Sequence, residues 1–233
     1  MTPALVLLVL LVIIVALGVA YSKRSARHRH DDLADARAET RRWIERLGGQ
    51  VYNLQDSTDP AAKQAVADAC ERYIAAGAQL DRADTTQLCQ LAAHPAIEGL
   101  YYVRAARTAL GLTSGPELPD LEGRRTAGAV DADRTVPVQG RDVAAAPNPS
   151  ARTRHYYPGG IVAGRPVPRG WYSEPWWKPA LQAGAWSIGS TLVSDALFTG
   201  MSAFGMDGDA GDRLSIAGGD AGHGLGGDVA DCQ

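Results

Sequence analysis

Residues 4–21, ALVLLVLLVIIVALGVAY, contain no charged side chain, and no other stretch constrains the fold as strongly. A helix rises about 1.5 Å per residue, so this run just covers a hydrocarbon core of roughly 30 Å. The rival is a cleaved signal peptide, with Gly18 to Ala20 offering small residues to a peptidase. Nothing basic precedes Ala4 except the amino terminus, and the run exceeds the usual apolar core of a signal peptide. The expectation is an uncleaved transmembrane anchor at 1–22, followed by a basic juxtamembrane flank at 23–30.

That flank carries Lys23, Arg24, Arg27 and Arg29, all on the C-terminal side of the run. By the positive-inside rule this side stays in the cytoplasm. The expected arrangement is a single-pass plasma-membrane protein with its N-terminus outside and its body cytoplasmic. Cys70, Cys89 and Cys232 form an odd set without paired spacing, which suits free thiols in a reducing compartment. A net charge of -3 and a pI near 5.9 exclude the basic face of a nucleic-acid binder.

Beyond the flank, 31–112 reads as a small helical bundle rich in alanine. Leu33, Thr40, Ile44 and Leu47 share one side of a first helix that Gly48 and Gly49 stop. Asp59 and Pro60 mark the N-cap and first position of a second, with an apolar stripe of Val66, Cys70, Tyr73 and Ile74. A third helix starts at an Asp84 cap and breaks before Pro95, where a fourth begins and runs to Gly111. Roughly 80 residues bury only a modest core.

From 113 to 150 the periodicity dissolves into a linker, with one strand or hairpin suggested by RTVPVQGRDV. Residues 151–181 follow as an aromatic strap whose prolines and glycines exclude regular structure. Its Tyr156, Tyr157, Trp171, Tyr172, Trp176 and Trp177 must be covered by something else. Three covers are open: the chain's own bundle, the membrane interface, or a partner protein. Arg165, Arg169 and Lys178 would orient a partner or meet anionic lipid headgroups. The nine residues from Tyr156 to Lys178 named here are the candidate interface set.

Residues 182–206 read as an amphipathic or membrane-associated helix, because Asp195 makes spanning expensive; a second span remains the alternative. The Gly/Asp tail 207–233 reads as disordered, and its DGDAGD opening has the wrong order for a calcium loop. The five histidines are scattered, and no nucleophile elbow or phosphate-binding loop occurs. No catalytic residue, metal site or cofactor is expected. Glu98 and Arg104 read as a solvated face or an interhelical contact. The fold class is mainly α: anchor, helical bundle, irregular strap, amphipathic helix and tail.

EGLYYVRAARTALGL at 98–112, GPELP at 115–119 and HYYPGGIVAGRPVPRGWYSEPWWKPAL at 155–181 carry a resemblance. The chain resembles actinobacterial membrane-anchored proteins of the mycobacterial trehalose monomycolate transport factor A family. The resemblance implies a non-enzymatic accessory role beside an RND-type exporter in cell-envelope lipid transport, within mycolic acid layer assembly. It transfers no catalytic residue. A membrane-surface lipid-binding or scaffolding protein without an exporter partner is the alternative, and an unrecognised enzyme the least favoured.

Overall fold

The computed structural model describes residues 3–199; within the first helix, the side chains of 3–16, 19, 20 and 25–27 lie outside the description. The described chain runs α1 (Pro3–Tyr52), α2 (Pro60–Arg82), α3 (Thr86–Ala109), α4 (Arg124–Ala127), β1 (Arg134–Val138), β2 (Arg141–Ala146), β3 (His155–Tyr157), β4 (Gly160–Val162), β5 (Arg165–Val167), β6 (Gly170–Tyr172), α5 (Lys178–Ala183) and α6 (Ile188–Phe198). It divides into two compact units. The first holds the chain up to Leu54 with Ala67–Arg104 and Gly115–Pro119; the second holds Gln55–Val66, Ala105–Ser114 and the residues from Asp120 onward.

The first unit is a helical bundle built from α1 and most of α2 and α3. Thr40, Ile44 and Leu47 are buried and Leu33 is half-buried, so the near-heptad spacing does mark the inward face of α1. Alanines and glycines let the helices approach closely. A Cβ at Gly48 would meet the Tyr73 ring at 2.9 Å, and one at Gly99 would meet Leu47 Cδ2 at 2.5 Å. The buried Thr40 hydroxyl satisfies itself on the Cys89 carbonyl at 2.8 Å, and Arg37 donates to the Ala83 carbonyl. Arg72 on α2 pairs with Glu98 on α3 at 3.5 Å, the interhelical contact among the expected alternatives, while Arg104 donates to the Pro116 carbonyl. Burial raises the Glu98 carboxyl above the ordinary range, with Arg72 opposing that shift.

The second unit centres on a four-stranded antiparallel sheet of order β1-β2-β6-β3, with β4 and β5 forming a separate hairpin. Register pairs Val136 with Val143, Ala145 with Tyr172 and Tyr157 with Gly170. Because side chains alternate across a strand, these residues share one face. On that face lies a core containing Tyr157, Tyr172, Trp176, Trp177, Val193, Leu197 and Phe198. α6 packs on β1 and β2, and α4 on β4 and β5.

Several expectations are corrected here. The strap at 151–181 is not irregular: it supplies β3 to β6, each three residues long. The linker at 113–150 contains α4, β1 and β2, and the suggested hairpin is present. α3 runs through Pro95 without a break, so the two expected helices are one. Proline removes its own N–H bond to the Leu91 carbonyl and crowds that carbonyl, and the burial of Ala92, Pro95 and Ala96 offsets the cost. α1 continues past Gly48 and Gly49 to Tyr52. On α2, Val66 and Cys70 are buried as the stripe expected, but Tyr73 and Ile74 are exposed, and Ala62, Ala65, Ala69 and Ala76 fill out the buried face instead. Asp59 does cap α2 through Ala62 N–H at 2.8 Å, but α3 is capped by Thr85, which accepts from Leu88, and not by Asp84. Cys89 is a buried free thiol, Cys70 is buried too, and Cys232 lies outside the described residues.

Within the expected helix at 182–206 the described residues hold the end of α5 and all of α6, and 200–206 lie outside the described residues. α5 and α6 are separated by a left-handed Gly184 and by Ser187, which accepts from Ser190 N–H as the N-cap of α6. The inner face of α6, with Val193, Leu197 and Phe198, is committed to the sheet core. Among the described residues, no helix is long and apolar enough to cross a membrane. The apolar run at 4–21 falls mostly, and the tail at 207–233 entirely, outside the described side chains.

Candidate functional site

The nine interface residues chosen from sequence are brought together, though mostly inward. Short strands place them: β3 carries Tyr156 and Tyr157, β6 carries Trp171 and Tyr172, and the turn into α5 carries Trp176 and Trp177. Tyr156 lies directly opposite Trp171 in the ladder, with ring centroids 5.1 Å apart. On the other face Trp177 contacts Tyr157 at 5.1 Å, Tyr172 at 4.8 Å and Trp176 at 5.6 Å. Such tilted and edge-on pairs are the arrangements that the ring quadrupole favours.

Burial settles which of them can meet a partner. Trp171, Tyr172, Trp176 and Trp177 are 0–5 % exposed and Tyr157 is 5 % exposed. Tyr157, Tyr172, Trp176 and Trp177 are in the core of the second unit, Trp171 is buried on the other face of the sheet, and their assignment as surface anchors is corrected. The Tyr172 hydroxyl donates to the Pro168 carbonyl at 2.6 Å, and burial raises its pKa well above the ordinary tyrosine value. Of the three covers left open, Tyr157, Tyr172, Trp176 and Trp177 take the protein's own fold, in the core of the second unit.

The polar members sit further out. Arg165 pairs with Asp195 at 3.3 Å, tying the β4–β5 hairpin to α6. Arg169 is exposed and uses its backbone N–H and carbonyl in a parallel bridge beside Ala129. Tyr156 and Lys178 are half-buried. His155 is half-buried, and burial first, then Arg154 and Lys178, lower its pKa against the opposing Glu174.

What faces solvent is a different set. Ile188 is 82 % and Leu192 46 % exposed, one helical turn apart on the outer side of α6; Leu181 on α5 and Ile161 on β4 are also exposed. Trp186, which the sequence reading passed over, donates its indole N–H to the Val162 carbonyl at 2.9 Å and holds the hairpin against the core. A serine just before an apolar run, as at Ser187, is the signal that would have located the start of α6.

No family model, curated protein or solved structure matches the chain.

Proposed function

We propose that the chain is a non-enzymatic, membrane-anchored adaptor that docks on an integral membrane exporter of RND type and assists transport of a cell-envelope lipid of the trehalose monomycolate class. One observation carries the anchoring part: α1 is a single 50-residue helix that joins the apolar run to the buried Thr40, Ile44 and Leu47 of the first unit. A folded unit is thereby coupled to the anchor without a flexible joint. The exporter and its lipid rest on the resemblance carried by residues 98–119 and 155–181.

In this reading the partner meets the outer side of α6 and the exposed Arg169, since the tryptophans are already covered. The second reading, a lipid surface as the contact, is favoured by the 82 % exposure of Ile188. A photocrosslinking residue at Leu192 in living cells separates the two. Adducts with an integral membrane transporter support docking, adducts with lipid support the second reading, and adducts with neither overturn both.

The charge asymmetry of Lys23, Arg24, Arg27 and Arg29 assigns the body to the cytoplasm. An oxidised Cys70 would belong to an oxidising compartment. Trapping the thiols of intact cells therefore tests the topology: Cys70 found oxidised in vivo would reverse it.

A further inference from the structure

β1 is the outermost strand of the four-stranded sheet, and among the described residues no strand pairs with its far edge. The hairpin fixes which main-chain groups that edge offers. Gln139 and Gly140 both have positive φ, 52° and 75°, so the two-residue turn makes Val138 and Arg141 a hydrogen-bonded pair. Bonded and non-bonded pairs then alternate along an antiparallel ladder. Val136 with Val143 and Arg134 with Ala145 exchange bonds, whereas Thr135 opposite Ala144 and Pro137 opposite Asp142 do not.

Ser173 supports this phase independently. Its N–H donates to the Ala144 carbonyl at 2.9 Å, and its hydroxyl accepts from the Ala144 N–H at 2.9 Å. Both main-chain groups of Ala144 therefore point away from β1. The outward-pointing groups of β1 are those of Thr135 and Pro137, and both residues are exposed. Their carbonyls and the Thr135 N–H are open to another strand, but proline has no N–H to give.

An open edge of this kind is a template for a further strand. A second copy of β1 suits it. About a two-fold axis at Val136, Thr135 meets Pro137 of the other copy, Arg134 meets Val138 and Asp133 meets Gln139, so no like charges stand opposite each other. Each Thr135 to Pro137 pair would exchange two main-chain bonds if both residues had an N–H. With proline each pair keeps one, and the Thr135 carbonyl faces a ring.

We propose that β1 is a self-complementary strand edge and that Pro137 keeps a second copy of this chain from adding to it. The residue leaves the hairpin intact, because its position uses no N–H toward β2. It acts only on the side that a neighbour would approach.

The test is Pro137→Val in the full chain, held in detergent micelles and compared with the parent by sedimentation equilibrium. Two bonds return per dimer, so the variant should associate about tenfold or more tightly. Amide hydrogen exchange locates the contact. In the parent the Thr135 amide should exchange freely while those of Val136 and Val138 are protected; in the associated variant the amides at 135 and 137 should become protected. Adding Thr135→Pro to Pro137→Val should return association to the parent level. Pro137→Thr serves in the same way if the valine variant does not fold. A folded variant no more associated than the parent, or a Thr135 amide already protected in the parent, overturns the proposal. Association that Thr135→Pro leaves unchanged places the contact elsewhere and overturns it as well.

Discussion

Gly99 on α3 and Leu47 on α1 compete for one volume: a Cβ at Gly99 would lie 2.5 Å from Leu47 Cδ2 and 3.1 Å from Arg72 Cβ. Leu47 is fully buried and has nowhere to swing. Gly99→Ala should therefore destabilise the first unit by about 1–2 kcal/mol, overpacking outweighing the roughly 1 kcal/mol that alanine gains as a helix former. At Gly77, where a Cβ meets nothing within 4 Å, the same change should stabilise by about 0.5–1 kcal/mol. Urea unfolding followed by circular dichroism reads both, and equal signs for the two variants would sink the argument.

Both two-residue hairpin turns place a residue with a side chain where glycine or asparagine is preferred. Gln139 has φ 52° and Ala163 φ 43°, each followed by a glycine with positive φ. Two left-handed residues in succession match the turn that suits strand twist. Ala163→Gly and Ala163→Asn should stabilise the second unit by about 0.5–1 kcal/mol, and Ala163→Val should destabilise it. Thermal melts of the three variants check the ordering.

Trp177 is 1 % exposed and contacts three other aromatic rings. Trp177→Ala should cost about 3–5 kcal/mol, and Tyr172→Phe about 1–3 kcal/mol by orphaning the Pro168 carbonyl. Loss of partner recovery in a Trp176/Trp177 double alanine variant would thus report unfolding. Ile188→Ser with Leu192→Ser should weaken docking with the melting temperature nearly unchanged, and an undiminished partner yield would remove α6 from the interface.

His155 gives the second unit an acid limit. Its folded pKa lies below the ordinary value near 6.5, so the unfolded chain takes up the proton more readily. The stability it contributes is whole above that value and is lost as pH falls through it. His155→Gln should flatten the fall in melting temperature between about pH 7.5 and 5.5. Identical slopes for variant and parent would exclude the histidine as the cause.

Local chemistry was legible wherever it acts within a few residues. The Asp59–Pro60 cap, the inward face of α1 at Thr40, Ile44 and Leu47, and the hairpin around Gln139–Gly140 all follow from short-range rules, and the structure contains each. The sheet was not legible in the same way. A strand such as Gly170–Tyr172 is too short to show an alternating pattern, and its buried prolines and glycines look like breakers until neighbouring strands satisfy the backbone. Pro95 reads as a stop because proline disfavours a helical residue before it, yet α3 runs through it with Pro95 and Ala96 buried. Sequence alone marked Trp171, Trp176 and Trp177 as apolar surface that must be covered. Only the tertiary structure decided that Trp176 and Trp177 are covered by β6, α5 and α6 of the same unit, because which surfaces meet depends on strand register between residues up to 38 positions apart, such as Arg134 and Tyr172 on opposite sides of β2.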